Sequence, residues 1–236
     1  MLNKLITELE NNKDKKQAKV LQKFFKTGKG QYGEGDIFLG IKVPVQRGIC
    51  KRYGNLTIKD IQELLNSKIH EHRLCALFAL VSRYKKANKI EKGRIFNFYL
   101  KNAKKINNWD LVDLSAPYIV GNYLLEDSQL KKILEKLAKS KNLWEKRIAI
   151  VSTYSFIKNN KHLEDVLNIS YILLKDKHDL IHKAVGWMLR ELGKKDLEAL
   201  ECFIRSYYKD IPRTTLRYAI EKFPEKKRKR YLKGKW

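Results

Sequence analysis

EHRLCALFALVSRY, residues 71–84, is the stretch whose periodicity settles the fold class. Leu74, Leu77, Phe78 and Val81 recur at the i, i+3, i+4, i+7 spacing that puts them on one helical face. LWEKRIAIVSTYSFIK (143–158) is built the same way, with Ile148, Val151 and Phe156 near one side. No stretch shows the sustained polar–apolar alternation that a half-buried strand needs. Four Pro and 12 Gly in 236 residues also leave little room for the turns of an all-β fold. The expectation is an all-α protein.

The pattern repeats. A basic or polar residue followed by a small-and-apolar run marks each unit: Arg73 opens RLCALFAL, Asp110 opens DLVDLSAP, Arg147 opens RIAIVSTY, Lys183 opens KAVGWMLR and Arg217 opens RYAIEKF. The marks are 37, 37, 36 and 34 residues apart, about one helix–turn–helix unit each and close to HEAT and armadillo lengths. Such a unit cannot bury its apolar face alone, so neighbours stack into a curved α-solenoid. The expected architecture is a single HEAT-like repeat domain over residues 1–236, with the marked helices lining a concave surface. GKGQYGEGDIFLG (28–40) has no GxxxxGK[ST] phosphate loop and reads as a flexible Gly-rich connection. The C-terminal stretch 225–236 carries seven basic residues between 226 and 235 and reads as a solvated, frayed tail that adds nonspecific affinity for nucleic acid.

Composition narrows the function. Lys+Arg number 51 against 26 Asp+Glu, a net charge of +25, and 43% hydrophobic residues suffice for a core. That pairing excludes a wholly disordered basic tail and favours phosphate contacts with nucleic acid. The bland alternative is a lysine-rich protein solvating its helices. There is no apolar run of membrane-spanning length and no signal-peptide pattern in MLNKLITELENNKDKK. Cys50, Cys75 and Cys202 make no CxxC, so a reduced cytoplasmic setting, nucleoid-associated in a bacterium or archaeon, fits better than a disulfide or zinc scaffold. His70, His72, His162, His178 and His182 form no tight metal-ligand spacing, and neither a metal nor a cofactor is expected.

The repeat exposes its own exceptions. Three residues after each mark stand Ala76, Asp113, Ile150, Gly186 and Ile220. Four are apolar or small; one is a carboxylate, which is costly to bury unless paired or put to use. A buried ion pair, with Arg147 for instance, is the structural explanation; catalysis is the functional one. Trp109 lies four residues before Asp113 on the same helical face, and Trp187 follows Gly186 two units later. Trp144, at a helix start, reads as packing, and Trp236 is terminal.

NNWDLVD (107–113), LWEKRIAI (143–150) and AVGWMLRE (184–191) resemble the three defining segments of the AlkD-type DNA alkylation repair glycosylases. FLGIKVPVQR (38–47) is similar to an N-terminal segment of that family, and RTTLRYAIEKFPEKKRKRYL (213–232) to the close of its commoner branch. The resemblance spans roughly residues 5–232. It implies a HEAT-like solenoid that excises positively charged N3- and N7-alkylated purines from duplex DNA in base excision repair. It further implies a reaction without metal or cofactor, in which indoles contact the deoxyribose while the base stays stacked. Trp109, Asp113 and Trp187 match the catalytic positions and Arg147 a DNA-backbone contact. Lys42, Arg47, Lys183, Arg190 and Arg217 are expected as further basic DNA contacts, and the protein is expected to be a monomer without membrane attachment. Around Lys42 and Val43 the residue types depart from the best-known branch. A cationic alkylpurine is already a good leaving group, so one preorganised carboxylate facing an oxocarbenium-like sugar suits the chemistry. The rival readings are a non-catalytic binder of bent or branched DNA and a helical scaffold for an acidic protein.

Overall fold

The computed structural model describes residues 1–127 and 131–236. The fold is all-α. Among the described residues the one β-type pairing is an isolated parallel bridge between Ile37 and Ile69. The helices form two compact units, Met1–Ser115 and Ala116–Trp236.

The first unit contains α1 (Leu2–Asn11), α2 (Lys15–Phe24), α3 (Val43–Arg52), α4 (Ile58–Leu65), α5 (His70–Lys86), α6 (Lys89–Lys101) and the short α7 (Trp109–Asp113). Leu2, Leu5 and Leu9 give α1 its buried stripe. A reciprocal capping box between Thr57 and Asp60 starts α4, whose Ile61, Leu64 and Leu65 pack onto α5. The helical reading of 71–84 is met by α5, which buries Leu74 and Leu77 of the expected face and also Leu80, while Phe78 and Val81 are half-buried.

The second unit contains α8 (Asn122–Glu126), α9 (Lys132–Ala138), α10 (Leu143–Ser152), α11 (Tyr154–Lys158), α12 (Leu163–Leu173), α13 (Asp179–Gly193), α14 (Leu197–Tyr207), α15 (Arg213–Ala219) and α16 (Glu225–Leu232). A π-helical turn, Pro117–Gly121, leads into α8. The 143–158 pattern is interrupted at Thr153, whose Oγ1 donates to the Ile150 carbonyl at 2.7 Å. That local bond competes with the helical ladder and splits the run into α10 and α11. Gly186 lets α13 and α15 touch: a Cβ there would meet Tyr218 Cβ at 2.5 Å and the Thr215 carbonyl at 2.6 Å.

The five repeat marks fall on α5, α7, α10, α13 and α15. They do not share one environment. Arg73 and Arg147 are buried, Asp110 and Lys183 half-buried, and Arg217 exposed.

Three expectations need correction. Cys50 on α3 and Cys75 on α5 form a disulfide, with Cα atoms 5.7 Å apart, although the sequence suggested reduced, isolated thiols. They are 25 residues apart and meet only because α3 packs on α5. The stretch 28–40 is not a loose connection: Asp36, Phe38 and Leu39 are buried. Gly40 sits at φ +89°, with Asp14 and Ala18 backbone too close to admit a Cβ. The basic C-terminus is not a frayed tail but contains α16, anchored by Tyr231, which is 1% exposed.

No helix among the described residues is long and apolar enough to cross a membrane.

Candidate functional site

The short helix α7 carries the carboxylate that breaks the repeat. Asn108 opens it by accepting from the Trp109 N–H at 2.8 Å, and Asp110 supplies an acid in the first turn. Asp113 is half-buried, whereas Ala76, Ile150 and Ile220 at the sibling positions are 0% exposed and Gly186 is buried. The odd residue of the register is therefore also the one in reach of solvent. Nearby, the buried Tyr99 hydroxyl bonds Ser115 Oγ at 2.8 Å. Burial, reinforced by the Asp113 charge, pushes its phenol above the ordinary tyrosine range.

Trp109 is half-buried and lies on an aromatic column. Its ring stacks on Phe25 at 5.3 Å, Phe25 stacks on Phe38 at 5.1 Å, and Phe38 stacks on the His70 imidazole at 4.5 Å. Phe24, largely exposed, meets Trp109 edge-on at 6.0 Å.

Beneath the column is a buried polar network that sequence reasoning did not find. His70 Nε2 is 2.8 Å from Asp110 Oδ2, and its Nδ1 lies 3.7 Å from Asp36 Oδ2, ion-pair range rather than a hydrogen bond. Arg73 donates to the same Asp36 oxygen at 2.6 Å and to the Ser67 carbonyl at 2.8 Å. Burial alone would depress the His70 pKa, but the Asp110 charge and hydrogen bond, with Asp36 behind, raise it to about 9. The imidazole is thus a cation at neutral pH. Glu71 folds the loop over it, accepting the Leu39, Gly40 and Ile41 N–H groups at 3.0, 2.8 and 3.3 Å. A cavity of about 350 Å³ opens among Phe25, Phe38, Ile41, Lys42, His70 and Asp110. Nothing in the sequence flags this network, because its members are joined by tertiary contacts and not by spacing.

In the second unit Trp187, half-buried, lies 5.9 Å from Tyr154 at a tilt of 34°. Arg147, expected to reach DNA, is buried and donates to the Leu180 carbonyl of α13 at 2.6 Å. Arg190 pairs with Glu221 and Glu191. Lys183 pairs with Asp179 at 2.7 Å. Arg47, in the first unit, lies exposed over the Phe78 ring at 4.7 Å. Lys42 and Arg217 project as exposed cations from the start of α3 and from α15. Trp144 is buried, and Trp236 packs against Tyr208 and Tyr231.

Among the described residues, His162, Glu164 and Asp165 bring three ligand-type atoms within 4.8 Å of one another. The Lys131 ammonium, 2.5 Å from Asp165 and 3.3 Å from His162 Nδ1, already supplies the cation there.

The sequence profile of the DNA alkylation repair enzymes matches residues 5–223, which include both indoles and Asp113. The chain belongs to that family. A solved structure from Enterococcus faecalis, described as a predicted DNA alkylation repair enzyme, superposes with a TM-score of 0.71 over 91% of this chain and 98% of that one. At 15% identity that likeness speaks for the fold. None of the curated proteins matches. Membership in a DNA repair family suggests DNA binding, which fits the net charge of +25.

Proposed function

We propose that this member of the DNA alkylation repair family is a DNA glycosylase acting on N3- and N7-alkylated purines in duplex DNA. The observation that carries the reading is Asp113: a carboxylate within reach of solvent on α7, one turn from the Trp109 indole, at a register position buried and uncharged in every other unit.

In the proposed reaction the bond from the sugar C1′ to the purine nitrogen breaks. The electron pair leaves with the base, whose positive charge is thereby neutralised, so no proton donor is required. Positive charge develops on the deoxyribose, and the fixed Asp113 carboxylate stabilises it more than it stabilises the neutral sugar of the ground state. Water then adds to C1′ and gives up a proton, for which the same carboxylate is the acceptor. Trp109 contributes the negative face of its ring toward the developing cation, a contact of about 0.5–2 kcal/mol. Trp187 is proposed as a further aromatic DNA contact on the second unit. No base pocket, metal or cofactor enters the proposal. Lys42, Arg47 and Arg217, the exposed members of the basic set, are the proposed phosphate contacts. Each should contribute about one unit to the slope of binding against salt. Arg147, being buried against α13, acts on DNA chiefly by holding that helix.

The test is release of 7-methylguanine from methylated duplex by the purified protein. Release in the absence of any divalent ion supports the reading. Tight, salt-dependent binding with no base released would make this chain a non-catalytic binder of distorted DNA instead.

A further inference from the structure

A helix of five residues cannot hold itself in place, since nucleation alone consumes most of the stabilisation such a segment can gain. The α7 helix bears both Trp109 and Asp113, so something outside it must fix its direction. The Ser115 hydroxyl, which donates to the Leu111 carbonyl at 2.5 Å and meets the Tyr99 hydroxyl of α6 at 2.8 Å, secures one end of α7, the Asn108 cap the other, and Leu111 and Val112 are buried. A charged tie to another element is Asp110, one residue from Trp109 and three from Asp113, which meets His70 at the first turn of α5, 40 residues earlier.

We propose that His70 is a positioning residue for the α7 site. By bridging Asp110 to Asp36 and ending the aromatic column that carries Trp109, it holds Trp109 and Asp113 in the orientation the reaction uses.

Two independent contacts make this a clamp rather than a single bond. One runs through the carboxylate of Asp110 to the backbone of α7. The other runs through Phe38 and Phe25 to the face of the Trp109 ring, each ring within 5.3 Å of the next. A buried cation serves this task better than an amide would. It attracts both carboxylates, and its charge lies against the face of Phe38, where the ring quadrupole is favourable. The charges facing it are Asp36 from the loop before α3, Glu71 and Arg73 from α5, Asp110 from α7 and Lys42 at the mouth of the cavity; α2 presents Gln17 and Leu21, and Phe25 follows at its C-terminal cap. Glu71 is spent on three backbone N–H groups, and Arg73 on Asp36. Asp110 therefore has His70 as its counter-charge. Deprotonation near the His70 pKa of about 9 would leave that half-buried carboxylate beside a neutral ring and loosen α7.

The consequence for catalysis rests on the glycosylase reading; the coupling between His70 and Trp109 does not. The experiment reads both. In wild-type protein, indole emission is titrated from neutral to about pH 10, and the same titration of Trp109→Phe is subtracted to isolate Trp109. A single transition near pH 9 is expected. It should move to lower pH in Asp110→Asn and vanish in His70→Gln. In parallel, single-turnover excision by His70→Gln should fall about tenfold while duplex affinity stays within about twofold, the split expected of misplacement rather than lost binding. Excision by folded His70→Gln at the wild-type rate overturns the proposal. So does a flat Trp109 titration in wild-type protein, which needs no variant of His70 to fold. If the wild type releases no base at all, the glycosylase reading fails, and the titration alone decides whether His70 holds α7.

Discussion

In the first unit the buried polar set includes Asp36, His70, Glu71, His72 and Arg73; in the second it is Arg147 with the hydroxyls Ser152, Thr153, Ser155, Ser170 and Thr215. Charges buried in a protein interior cost several kcal/mol each unless they are paired. Hydroxyls that bond a backbone carbonyl, as Thr153 does Ile150 and Ser155 does Pro117, cost less. Close contact also holds the second unit, with Gly186 letting α13 and α15 touch. The first is held in addition by an electrostatic frame that pins an irregular loop and a five-residue helix. The frame surrounds the element carrying Asp113 and Trp109. The difference teaches that, in a fold of otherwise interchangeable helices, the costly interactions gather where one helix is too short to be placed by packing alone.

The largest expected effect comes from breaking that frame. Glu71→Ala leaves the buried N–H groups of Leu39, Gly40 and Ile41 without their acceptor, and at about 1–3 kcal/mol per orphaned group the loss should reach about 3–5 kcal/mol. Urea unfolding measures it. The matching change in the second unit, Lys183→Ala, removes an i,i+4 pair with Asp179 whose two side chains remain open to solvent, and should cost about 0.5 kcal/mol. Equal losses would erase the contrast between the units.

Shape is the vulnerability of the second unit. Gly186→Ala places a Cβ 2.5 Å from Tyr218 Cβ, and overpacking of this kind costs about 1–3 kcal/mol. The loss should not vary between neutral and mildly alkaline pH, since no titrating group is involved. A pH-dependent loss would show that a titrating group helps to join α13 and α15.

A subtler effect should separate the units by pH. The folded-state pKa of His70 is raised from 6.5 to about 9. Its stabilisation is therefore complete below the unfolded value of 6.5 and is lost as pH rises through about 9. Melting followed by calorimetry should show the transition falling by a few degrees over that window in wild-type protein and by less in His70→Gln. The same slope in both would remove His70 from the frame.

Much of this fold was legible from the chain because the helical period is local. The apolar spacing of 71–84 gave α5, and the five register marks landed on five helices. Asp113 stood out because its siblings are Ala76, Ile150, Gly186 and Ile220, a comparison that needs only counting. The frame was not legible, because each of its bonds spans 30 residues or more: Glu71 to the 39–41 backbone, Arg73 to Asp36, His70 to Asp110. The Cys50–Cys75 bridge, across 25 residues, was not legible either, because only the packing of α3 on α5 brings the two thiols together; nor was the burial of Arg147, since a basic residue at a register mark reads as exposed until its neighbour on α13 is known.

The smallest effect concerns the Trp109 ring. Trp109→Phe keeps an aromatic face on Phe25 and should reduce base excision by less than Trp109→Ala, the interval between them being about 0.5–2 kcal/mol. A melting temperature that collapses in Trp109→Ala, with activity lost in proportion, would assign the indole to the core.

The central claim is that Asp113 faces the developing cation, and single-turnover release of 7-methylguanine from methylated duplex by Asp113→Asn tests it directly. The substitution keeps the shape of the side chain and removes its charge. The account predicts a fall of tenfold or more, about 1.4 kcal/mol or above, with duplex affinity unchanged within a few-fold. Release at the wild-type rate by the folded variant would contradict it.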